Sequence, residues 1–141
     1  MRQNSKDLAA GNQLAEKALA SIKDAQVIFV EVPAGSQSSR AMASYGICIG
    51  VLAALRAFNH RFIEVTPTEV KMAAVGKKTA TKREMIQWAY DLYPDAGWPM
   101  QTKKGTTSII EGKAEHMADA IATIHAGVLT EQFNQLIQMR A

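Results

Sequence analysis

Val27-Ile28-Phe29-Val30-Glu31-Val32 is an apolar, β-branched run without polar alternation, and one acid interrupts it near its end. A run of that kind suits a strand over residues 26–32 buried on both faces, as in a parallel sheet. Outward from it, Pro33-Ala34-Gly35-Ser36-Gln37-Ser38-Ser39 is rich in turn formers, and Ser38 or Ser39 can cap a following helix. That helix, over about residues 40–58, is apolar nearly all round and rich in small residues: Ala41, Ala43, Gly46, Gly50, Ala53 and Ala54. It is expected to be central, packed on the sheet or on a second copy of itself. Phe62-Ile63-Glu64-Val65 follows as a second strand, which makes a right-handed strand–helix–strand crossover.

The flanks are helical. Leu8, Leu14, Ala18, Leu19 and Ile22 recur at helical intervals over residues 8–23, after a polar and loose stretch 1–7. Thr66-Pro67-Thr68-Glu69 has the pattern of a helix start, with Thr66 as cap, Pro67 first and Glu69 third. That short helix stops at Gly76, and Thr79 or Thr81 caps another that reaches Tyr93 before Pro94. Residues 94–112 read as a surface loop and 113–127 as a helix ended by Gly127. Thr130 caps a last amphipathic helix within 128–141. No repeat or boundary divides the 141 residues, so a single α/β domain is expected.

Composition sets limits. Hydrophobic residues make up 48% and charged residues 21%, the balance of an ordinary globular chain. A net charge of +3 and a pI near 9.1 are compatible with a polyanionic partner. Cys48 is the only cysteine, so it cannot form an intrachain disulfide, and its apolar context reads as a small buried hydrophobe in a reducing compartment. The N-terminus is polar, without a secretory signal. The stretch Gly46 to Leu55 is short for a bilayer span, so no membrane association is expected.

Three groups of residues could carry chemistry. Glu31 lies at a strand's carboxyl end, where open α/β sheets bind ligands; alternatively it faces solvent just past the buried part. In Lys113-Ala114-Glu115-His116-Met117-Ala118-Asp119, His116 and Asp119 are three apart and share a helix face, as Glu115 and Asp119 can at four. Carboxylates with an imidazole suit Mg²⁺ or Mn²⁺, although acids also simply favour the start of a helix. Lys71, Lys77, Lys78, Lys82 and Arg83 form a basic cluster suited to phosphates or to an ordinary solvated face, and Lys103-Lys104-Gly105 could extend it. His60 and His125 read as structural or exposed, and Trp88, Tyr90, Tyr93 and Trp98 as core or loop anchors.

In order along the chain, Phe29-Val30-Glu31-Val32, the small-residue helix through Gly46, Val70-Lys71 to Gly76 to Ala80-Thr81-Lys82, and His116-Met117-Ala118-Asp119-Ala120-Ile121-Ala122 resemble the RuvC-type Holliday junction resolvases over about residues 8–127. The Ala43-Ser44-Tyr45-Gly46 variant and the loop after Glu31 are closer to phage or mobile-element relatives. The resemblance implies an RNase H-like mixed sheet flanked by helices. It also implies Mg²⁺- or Mn²⁺-dependent cleavage of branched or duplex DNA by a homodimer, and a cytoplasmic location in a bacterial or phage-infected cell. It matches Glu31 to the family's second catalytic acid, His116 to a position that is Asp or His, Asp119 to its last acid, and Lys71 and Lys82 to two lysines near the active site. Metal ligands are then Glu31, His116 and Asp119, and Lys71, Lys77, Lys78, Lys82, Arg83 and Arg40 contact DNA. The family's first catalytic Asp stands on an N-terminal strand that this sequence does not contain, so an N-terminally truncated domain is expected. The alternative is a catalytically inactive module that still binds DNA junctions.

Overall fold

The structure is a computed structural model that describes residues 2–33, 35, 37–58 and 61–140. His60, and Ala34 and Ser36 of the loop after the first strand, lie outside the described residues. Among the described residues the chain is mixed α/β, with six helices and two two-stranded sheets. It divides into two compact units, one up to Ile63 and one from Glu64 onward.

The first unit holds α1 (Gln3–Ile22), β1 (Ile28–Glu31) and α2 (Ser39–Ala57). Helix α1 begins five residues before the expected start at residue 8. Its polar first turns are held by side chains: Gln3 Nε2 donates to Asp7 Oδ1 at 2.9 Å, and Arg40 grips both Asp7 oxygens at 2.8 and 3.3 Å. That ion pair ties α1 to α2 and holds the Asp7 carboxyl below its ordinary range, with the Arg40 hydrogen bond as first cause. A Cβ on Gly11 would stand 3.3 Å from Ile47 Cγ2, so the helices come close there because that side chain is absent.

Ser38 caps α2 by accepting the Ala41 N–H at 3.3 Å. Of the two settings expected for α2, enclosure on the sheet is not what is seen. Among its residues only Leu55 is buried, Met42 and Ile49 are 46% and 45% exposed, and Cys48 is half-buried. The reason is one of dimensions. A helix of 19 residues runs about 28 Å. Strand β1 and its partner β2 (Phe62–Val65) have four residues each, about 13 Å, and form a two-stranded sheet. Ile28 donates its N–H to the Arg61 carbonyl at 2.9 Å where they meet. Strand β1 is half-buried, not enclosed on both faces, and Glu31 at its end is exposed. By length and composition α2 is also apolar enough to cross a membrane.

The second unit contains the principal core. Helices α3 (Pro67–Ala74), α4 (Lys82–Leu92) and α5 (Glu111–Gly127) pack together, with β3 (Met100–Lys103), β4 (Thr106–Ile109) and α6 (Glu131–Arg140) completing it. Helix α5 contributes Ala114, Ala118, Ala122 and Ala126, a buried stripe at four-residue spacing that lets its neighbours approach closely. Val65, Val70, Met85, Ile86, Ala89 and Trp98 close around it. Trp98 Nε1 donates to the Tyr93 carbonyl at 2.8 Å, which makes it the loop anchor expected from the sequence. Thr130 caps α6 by accepting the Phe133 N–H at 3.2 Å.

The stretch 94–112 is more than a surface loop. Strands β3 and β4 pair antiparallel, Met100 opposite Ile109 and Lys103 opposite Thr106, around the two-residue turn Lys104-Gly105. Both turn residues have positive φ, +52° and +78°, so the backbone follows the twist that hairpins favour. Helix α5 also starts at Glu111, two residues earlier than expected, with Ile110 in the cap position.

Candidate functional site

Three helices of the second unit carry the charged groups of the site, and local sequence rules fix the start of two of them. Thr66 and Glu69 form a reciprocal cap: Glu69 N–H donates to Thr66 Oγ1 at 3.1 Å and Thr66 N–H to Glu69 Oε2 at 3.0 Å. Thr81 and Glu84 repeat it at 3.2 and 3.3 Å. The first cap sets α3, which carries Lys71, half-buried in its last turn. The second sets α4, whose first residue is Lys82.

Helix α5 supplies the acids. Its alanine stripe faces the core, Glu115 and Asp119 lie along the edge of that stripe, and His116 points outward with 80% of its side chain exposed. Lys82 Nζ meets Glu115 Oε2 at 3.0 Å across the α4–α5 boundary. Glu115 Oε1 stands 3.9 Å from His116 Nε2. Asp119 keeps an exposed surface, yet its pKa is raised. Loss of water around the carboxyl is the first cause and the Glu115 charge the second, opposed by His116, Lys71 and Lys82. Thr123 Oγ1 donates to the Asp119 backbone carbonyl at 2.6 Å.

Three predicted site residues, Lys71, Lys82 and His116, thus come within electrostatic reach of a fourth, Asp119. Glu31 ends β1 in the first unit. The cations expected to contact DNA are largely engaged already. Lys77 pairs with Glu84 at 2.9 Å, which also depresses the Glu84 pKa. Arg83 pairs with Glu111 at 3.0 Å and Arg40 with Asp7 at 2.8 Å. Lys78 is exposed. Glu115 was absent from the expected ligand set, and its place four residues before Asp119 was the signal for including it.

Asp119 and His116 offer donors suited to a divalent cation, an oxygen and an imidazole on one turn. Among the described residues, no group of three His, Cys, Asp or Glu side chains is arranged to hold one. His125 has a structural role: its Nε2 lies 2.9 Å from Tyr93 Oη, and Trp88 meets its ring edge-on at 5.0 Å. A cavity of about 350 Å³ lies beside it, lined by Tyr93, Ala96, Ile121, Ile124 and His125. Compared with protein-family models, with characterised proteins and with solved structures, the chain finds no match.

Proposed function

We propose that this chain belongs to an RNase H-like, RuvC-type class of DNA-processing proteins and hydrolyses phosphodiesters in branched DNA. The observation that carries this reading is that Lys71, Lys82 and His116 lie within electrostatic reach of Asp119, on three separate helices. Lysines beside an acid and an imidazole suit a phosphodiester, because the cations neutralise phosphate while the anionic donors suit Mg²⁺ or Mn²⁺. His116 and Asp119 would hold the ion; Glu31 enters the ligand set through the family resemblance alone. A bound divalent ion would activate water and stabilise the leaving oxygen. The chain's own lysines bind and orient the phosphate, and Glu115 restrains Lys82 at 3.0 Å. A homodimer that presents two such sites is part of the same proposal.

The test is cleavage of a synthetic four-way junction in Mn²⁺. Glu31→Gln and Asp119→Asn are expected to abolish cutting, and Lys82→Ala to slow it on the order of 100-fold. Unchanged cutting by both acid variants would overturn the metal-site assignment. A second reading is a junction-binding module without catalysis. Salt-sensitive binding in EDTA with no cutting in Mn²⁺ would select it.

A further inference from the structure

The hairpin of β3 and β4 is a built element. Thr102 Oγ1 and Thr107 Oγ1 share a hydrogen bond of 3.0 Å across it. At its base Ile109 packs against the core, and Ile110 donates its N–H to the Pro99 carbonyl at 2.9 Å. The next residue opens α5, so the hairpin is held to the same helix that carries His116 and Asp119.

Its chemistry is one-sided. Between Met100 and Ile109 there is no carboxylate, while Gln101, Thr102, Lys103, Lys104, Thr106, Thr107 and Ser108 all carry hydrogen-bond donors. Lys77, Arg83 and Arg40 are each paired with an acid, whereas Lys103 and Lys104 have no ion pair among the described residues. Gln101, Lys103, Thr106 and Ser108 share one face by strand alternation and register. Two strands about 4.8 Å apart, with their side chains, match a B-DNA major groove about 12 Å wide, which admits a two-stranded ribbon.

We propose that the β3–β4 hairpin lies in the major groove of duplex DNA, with Gln101, Thr106 and Ser108 toward the base edges and Lys103, at the turn end of that face, and Lys104 on the phosphate backbone. The proposal rests on the reading that the chain acts on DNA. It excludes duplex RNA, whose major groove is too deep and narrow for such a ribbon.

The experiment is binding to a 25-base-pair DNA duplex in EDTA across a salt series, with Lys103→Gln/Lys104→Asn beside the wild type. Asparagine tolerates the positive φ of +52° at residue 104, so the turn survives. Weaker binding is expected, with the slope of log K against log salt shallower by about 1.8, the loss of two phosphate contacts. Lys103→Gln alone, which leaves the turn untouched, is expected to change the slope by about 0.9. An unchanged slope in both variants overturns the proposal, as does a wild type that binds no duplex. Equal hairpin-dependent binding to duplex RNA does so as well. Junction cleavage in Mn²⁺ separates the two readings. A changed slope with cutting that survives Glu31→Gln and Asp119→Asn sinks the metal-site assignment and keeps the hairpin. An unchanged slope with Asp119-dependent cutting does the reverse.

Discussion

Asp119 carries its charge at a cost to folding. Its raised pKa means that the folded chain holds the proton more tightly than the unfolded one. The contribution to stability is therefore full below the ordinary value of 3.8 and is lost as pH rises through the folded-state value. At neutral pH the ionised carboxyl is a net penalty, mainly because surrounding protein displaces water and also because Glu115 is near. Asp119→Asn removes that penalty. It is expected to stabilise the chain at pH 7 by a few tenths of a kcal/mol after solvent screening, with the gain vanishing near pH 3. Urea unfolding at the two pH values checks this, and a variant less stable at pH 7 would contradict the assigned cause. The same substitution is expected to abolish cutting, so stability and function would move in opposite directions. The His116 and Asp119 pair was legible in the sequence because helical spacing is local. The Lys82–Glu115 contact was not, because it joins two helices whose packing no short motif encodes.

At the scale of elements, the two Thr-x-x-Glu boxes show how a local rule positions chemistry. Thr81 satisfies one orphan N–H of α4, that of Glu84, and thereby fixes the first turn, which begins with Lys82. Thr66 does the same for α3, where Lys71 stands more than a turn away. Thr66→Ala and Thr81→Ala are each expected to cost about 1 kcal/mol of stability, measured by thermal or denaturant unfolding. Only Thr81→Ala should also weaken DNA binding beyond what its stability loss explains, because it loosens the first turn that carries Lys82. Equal effects of the two variants on binding would show that cap and lysine are uncoupled. The first box was read from the sequence, since cap and acid lie three residues apart; for α4 the sequence left Thr79 and Thr81 both open, and the structure selects Thr81. The hairpin could not be read so directly. Its turn is Lys104-Gly105, not Asn-Gly, and its strands are polar, so the signal was only the largely β-branched stretch Thr106-Thr107-Ser108-Ile109-Ile110 beside a glycine.

Across the whole molecule, burial is uneven. The clustered core lies almost wholly between Val65 and Ala126, while α1 buries no residue and α2 buries Leu55 alone. The sequence showed that α2 is apolar all round, but not what would cover it, because periodicity reports a preference for burial and not its partner. Met42 and Ile49 remain about half exposed, and an apolar helix surface in water favours association. The proposed homodimer gives that surface a partner: a second α2, whose glycines and alanines permit close approach. Sedimentation equilibrium of the wild type should then return twice the 15.3 kDa chain mass. Ile49→Lys should return the chain mass with unchanged helical circular dichroism, since residue 49 lies on the exposed surface. A monomeric wild type would overturn the dimer. Because α2 also meets the length and composition of a membrane span, flotation with lipid vesicles is the companion measurement. Wild-type chain that floats, with Ile49→Lys chain that does not, would assign the same surface to lipid instead of a second copy.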